Sequence, residues 1–135
     1  MLEDREWRGA EGASSEVLAL LKSITPVDLP ESYYSLLSLS NGGEGPLPVH
    51  PLWLCLYAAE EVIRIERTGT FKEFFPNLFV IGSNGGGEAI AFDVCEVEPY
   101  PIVAFDMTNI ILPETIQQIA SSFDTLLILI GRADK

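Results

Sequence analysis

Apolar residues recur at helical spacing in the first third of the chain, gather into short runs through the middle, and return to helical spacing near the end. Val17, Leu20, Leu21 and Ile24 follow the i, i+3, i+4, i+7 rule that places them on one side of a helix. Ser14 or Ser15 offers its N-cap oxygen, and Pro26 limits its extension. A second helix is predicted from Pro30, whose fixed φ is already helical, with Glu31 complementing the positive end of the dipole. Tyr33, Leu36 and Leu37 share its apolar face, and Asn41-Gly42 stops it. Ala59, Val62, Ile63 and Glu66 predict a third, short helix with Glu60, Glu61, Arg64 and Arg67 toward solvent, and Arg64 is expected to pair with Glu60 one turn earlier.

The middle of the chain reads as strands. Leu52 to Tyr57 is short and continuously apolar, as expected of a strand covered on both faces. Leu78 to Gly82 and Ala89 to Val94 are rich in Ile, Val and Phe and flank Asn84-Gly85-Gly86-Gly87-Glu88, a hairpin signal. Ile102 to Phe105 adds a strand, and Phe71, Phe74 and Phe75 form an aromatic cluster before Pro76. Ile116, Ile119, Ala120, Phe123, Leu127 and Ile130 then mark a stripe that predicts one C-terminal helix beginning near Pro113-Glu114 and ended by Gly131. The order implies an α+β fold, an antiparallel β-sheet meander packed with N-terminal helices and a C-terminal helix. Residues 1 to 13, small and charged apart from Trp7, are expected as a mobile lead-in to one domain over residues 14 to 135.

The two glycine stretches, Asn41 to Gly45 and Asn84 to Glu88, follow apolar segments and act as a helix stop and a hairpin turn. Neither binds phosphate by its pattern, since both lack the lysine and hydroxyl of a P-loop and carry a repelling glutamate. Between them, Gly45-Pro46-Leu47-Pro48-Val49-His50-Pro51-Leu52 holds three prolines that exclude helix and central strand and favour a stiff recognition loop.

Composition narrows the function. A chain of 135 residues with 47% apolar residues builds its own core without metal or disulfide. Its charge of −12, from 20 acidic and 8 basic residues, disfavours nucleic acid and anionic membranes and suits a basic partner, although acidic residues also serve solubility alone. Cys55 and Cys95 lie in apolar stretches without CxxC spacing and are expected as reduced core thiols, which fits the cytoplasm. The opening residues lack the basic and apolar stretches expected of a signal peptide, and no apolar run reaches transmembrane length.

His50 is the sole histidine, and Glu44, Glu88 and Asp93 have no metal-binding or catalytic spacing, so no catalytic residue, metal or cofactor is expected. The candidate contacts for a partner are Trp53, His50 and Leu47 on the proline loop, with Glu44 and Glu88 from the glycine turns. Trp53 also reads as a core residue, and both glutamates also read as turn anchors.

One set of segments forms a familiar series. Leu29-Pro30-Glu31-Ser32-Tyr33-Tyr34-Ser35-Leu36-Leu37, Asn41 to Gly45, Trp53-Leu54, Phe79 to Asp93, and Ile119 to Leu127 occur in colinear order from about Pro26 to Gly131. The chain resembles the SUKH superfamily, in the branch containing the fungal regulators of cell-wall glucan synthesis. It departs from the pattern at Ile90, where an aromatic is frequent, and at Ser121, where an acid is frequent. The resemblance implies an α+β binding domain without a catalytic constellation. In bacteria such domains serve chiefly as immunity proteins that neutralise secreted polymorphic toxins, commonly nucleases, and in fungi as signalling adaptors. A housekeeping adaptor and a carboxylate-dependent hydrolase are the alternatives.

Overall fold

Ser14 opens the first helix as anticipated, its hydroxyl oxygen accepting from the Val17 amide at 3.2 Å. The computed structural model describes residues 5–69, 71–72, 75–95, 97–107 and 116–132. Along the chain run β1 (Arg8–Gly9), α1 (Ser15–Ile24), α2 (Glu31–Leu39), β2 (Gly43–Pro46), β3 (Trp53–Leu56), α3 (Ala59–Thr68), β4 (Leu78–Ser83), β5 (Glu88–Asp93), β6 (Ile102–Asp106), β7 (Gln117–Ala120) and α4 (Phe123–Leu129). The seven strands among the described residues lie side by side in sequence order, every neighbouring pair antiparallel. The fold is α+β, a meander with helices before, within and after it.

Alternation along the strands sorts side chains onto two faces. Leu54, Leu56, Phe79, Ile81, Ile90, Phe92, Ile102 and Ala104 meet Leu21, Tyr33, Leu36, Leu37, Val62, Phe123 and Leu126 of the helices in the main core. Tyr33 sits at its centre, edge-on to Phe92 and Phe123 with ring centroids 5.4 Å away in each case. The opposite face has a smaller cluster in which Val80, Ala89, Ala91, Val103 and Phe105 pack against Phe75, with Phe71, Met107 and Ile116 at its edge. This second cluster draws its strand residues from β4, β5 and β6. On β2 and β3 the same face instead carries Glu44, Trp53 and Cys55.

Several expectations are revised. The C-terminal stripe does not form one helix: Gln117–Ala120 pairs with β6 as a strand, and Ser122 then caps a separate helix by accepting from the Thr125 amide at 3.1 Å. The predicted start at Pro113-Glu114 lies outside the described residues. Phe74 of the aromatic cluster also lies outside them, whereas Phe71 and Phe75 both contact the Phe105 ring. Pro46 ends a strand rather than lying in a loop, at a position where its missing N–H is tolerated. The strand from Trp53 is buried on one face only, with Leu54 and Leu56 inward and Trp53 and Cys55 half-buried outward. Cys55 is therefore half-buried and Cys95 exposed, and both are free thiols but not core ones. Arg64 pairs with Glu61 rather than Glu60, its Nη2 standing 2.6 Å from Glu61 Oε2. Arg8–Gly9, within the expected lead-in, pairs with β2 at the sheet edge, and Trp7 packs on the main core.

Candidate functional site

Antiparallel register brings the candidate residues of β2 and β3 onto one face. Glu44 lies opposite Cys55 and Pro46 opposite Trp53, and opposed residues project to the same side of a sheet. The Trp53 indole Nε1–H donates to Glu44 Oε1 at 3.0 Å, and the Cys55 thiol lies 3.5 Å from the same oxygen. Burial, reinforced by the hydrogen bond and charge of Glu44, pushes the Cys55 thiol above its ordinary value. It is protonated at neutral pH and a poor nucleophile.

The β4–β5 turn folds over this pair. Gly85 takes a left-handed φ of 82°. A Cβ there would lie 3.4 Å from Cys55 Sγ and 3.8 Å from Trp53 Cδ1, so the turn lies beside both side chains with room for no more than a methyl group between them. Asn84 Oδ1 holds the turn by accepting from the Gly86 and Glu88 amides at 2.8 and 3.1 Å. Glu88 in turn meets His50, whose Nε2 stands 3.0 Å from Oε1. These residues stand in separate segments of the sequence, two glycine turns, the proline loop and an apolar strand, and the fold gathers them into two pairs, Glu44 with Trp53 and Glu88 with His50.

Leu47 does not join them. Only 1% of its surface is exposed, and it anchors the proline loop in the core, which removes it from the contact set. Leu52 takes the outward position instead. Its N–H donates to Val49 O at 2.7 Å, its carbonyl accepts from Leu47 N–H at 3.0 Å, and its φ is 74°. The loop is thus closed on itself, and Leu52 stands 63% exposed beside Trp53. A left-handed conformation is unfavourable for a leucine, so the loop geometry holds this side chain outward against a local cost. No sequence signal announces a positive φ at a leucine.

At the sheet edge, Glu6, Trp7, Arg8, Glu44, Gly45, Pro46 and Trp53 line a cavity of about 430 Å³. Trp7 is oriented differently from Trp53, its Nε1–H reaching Ser40 Oγ on the helix side at 3.3 Å. Glu6 and Arg8 come from the lead-in, whose return to the sheet was not legible. A second cavity, of about 330 Å³ between Pro30, Tyr100 and Phe123, holds none of the candidate residues. Among the described residues no group of three or more His, Cys, Asp or Glu side chains could hold a metal ion. No described helix is long and apolar enough to cross a membrane. The arrangement offers carboxylates, an indole and an exposed aliphatic side chain on a firm scaffold, which are the elements of a recognition surface.

Comparison with known families finds that the model of the SMI1 / KNR4 family (SUKH-1) matches residues 12–128. No curated protein matches the chain.

Proposed function

Because the chain belongs to the SMI1 / KNR4 family (SUKH-1), we propose that it is a non-catalytic protein-binding domain, and in particular an immunity protein that neutralises a secreted toxin with a basic surface, such as a nuclease. The observation that carries this reading is the outer face of β2 and β3, where Glu44 bonds half-buried Trp53 and exposed Leu52 adjoins it in sequence, while Glu88, on the helix side of β5 with Ile90 and Phe92, adds a second carboxylate paired with His50 at the end of the sheet. Aromatic and aliphatic anchors ringed by charge are the arrangement that concentrates binding energy in a few residues. A charge of −12 would raise the rate of encounter with a cationic partner by about 10- to 1,000-fold at low salt. A nuclease would be blocked where it must otherwise attract phosphate, in the cytoplasm of the cell that carries both proteins.

An adaptor that recruits a cellular regulator is the second reading. It is favoured by exposed Leu52 and Val49 and half-buried Trp53, apolar side chains of the proline loop and the strand after it whose contact with a partner does not depend on charge. Affinity capture with the tagged protein, in cells co-expressing the open reading frames beside its gene, separates the two. Recovery of a basic toxin domain supports the immunity reading, and recovery of acidic or neutral regulators alone replaces it with the adaptor.

A further inference from the structure

The cavity at the sheet edge has a chemistry more specific than a general acidic surface. Register sets Arg8 opposite Glu44, and Pro46 opposite Trp53, so these four residues share its outer side. Glu6 adds a second carboxylate to the lining. Glu44 Oε1 is held by the Trp53 indole N–H, which fixes the carboxylate, while Oε2 has no hydrogen bond from any described residue. Arg8 faces Glu44 across the strand pair yet forms no ion pair with it. The lining therefore combines a fixed carboxylate with a free oxygen, an indole, a proline ring, a second glutamate and one guanidinium.

We propose that this cavity seats an arginine side chain presented by the partner, its guanidinium stacked on Trp53 and donating to Glu44 Oε2. The proposal rests on the basic-partner reading and names the group that the partner offers. A guanidinium is planar and weakly hydrated, so it stacks on an indole and forks onto a carboxylate, whereas a lysine ammonium is compact and strongly hydrated. A purely apolar group would strip water from Glu44 and Glu6 without compensation. Arg8, which leaves Glu44 unpaired, places a like charge beside an incoming guanidinium and so weakens the site.

The test needs no partner protein. The purified chain is titrated with Nα-acetyl-arginine amide while the two indole N–H resonances are followed by NMR. The Trp53 signal shifts saturably, with half-saturation on the order of 10 mM. The Trp7 ring also lines the cavity but its N–H is turned away to Ser40, so its signal shifts less than that of Trp53. Nα-acetyl-lysine amide binds about threefold more weakly or worse. E44Q weakens the arginine response by about fivefold, since Gln keeps the acceptor for Trp53 but loses the charge, and R8Q strengthens it by about twofold. A Trp53 signal that does not move, an unaltered response in E44Q, or equal binding of the lysine probe overturns the proposal. Should E44Q fail to fold, R8Q decides, and an unchanged or weaker response there counts against the site. A responsive Trp53 with no basic partner ever captured would defeat the functional reading and leave the seat standing; a captured basic partner with a silent Trp53 would do the reverse.

Discussion

Leu52 and Tyr33 are the two side chains whose surroundings conflict most directly with their chemistry. Leu52 holds a φ of 74° with 63% of its surface exposed, so L52G would relieve backbone strain while giving up little burial. Chemical denaturation should show L52G more stable by about 0.5 to 1 kcal/mol, and the same variant should bind the partner less tightly. Tyr33 is fully buried, and its hydroxyl finds no hydrogen-bond partner among the described residues. Desolvation, with a smaller contribution from Tyr34, holds it well above the ordinary tyrosine value of 10.0. In the unfolded chain it ionises near that value and in the folded chain it does not, so the native state retains more protons in alkali and stability falls as pH rises past 10. Y33F keeps the ring contacts and discards the stranded hydroxyl. It should be neutral or more stable by up to about 1 kcal/mol at neutral pH, with a shallower loss between pH 10 and 12 in pH-dependent melting.

The helices and the central hairpin were legible because each carries its own signal: serine or proline at a helix start, a positive-φ glycine at a stop, β-branched runs around Asn-Gly. Gly42 lies two residues past the extended Ser40 cap of α2, and at φ 94° a Cβ there would lie 2.9 Å from the Leu56 carbonyl oxygen, so its glycine is required by the close approach of the chain to the end of β3. The C-terminal stretch reads as a helix because its apolar positions fit the helical period alone, and strand pairing overrides that local pattern. Ile116, Ile119, Ala120 and Phe123 fit a helix, but β6 offered an unpaired edge, and Ala120 pairs there with Ile102. Ser121-Ser122 ahead of Phe123-Asp124 was the overlooked cue, a cap at the true helix start. S122A should therefore cost about 1 kcal/mol in thermal or chemical denaturation, a loss that a helix continuous through residue 122 would not show. The candidate site was legible as residue types but not as pairs. Nothing local to Glu44 or His50 specifies that the sheet and the β4–β5 turn will bring Trp53 to one and Glu88 to the other. Leu47 and Leu52 exchanged roles for the same reason, because the turn that buries one and exposes the other is closed by backbone hydrogen bonds between them.

At the scale of the whole molecule, helices cover one face of the meander and a smaller cluster covers the β4–β6 part of the other, which leaves the acidic outer face of β2 and β3 to a partner. A surface of this kind acts on association more than on dissociation, because charge steers the encounter while Trp53 and Leu52 hold the complex. The decisive measurement is the association rate of the captured basic partner with wild-type protein and with the double variant E44Q/E88Q, followed from low to high salt. The account predicts a rate that falls by at least about tenfold as salt rises, and a double variant that is slower at low salt and much less salt-sensitive. A partner whose association ignores both salt and the two carboxylates would contradict it.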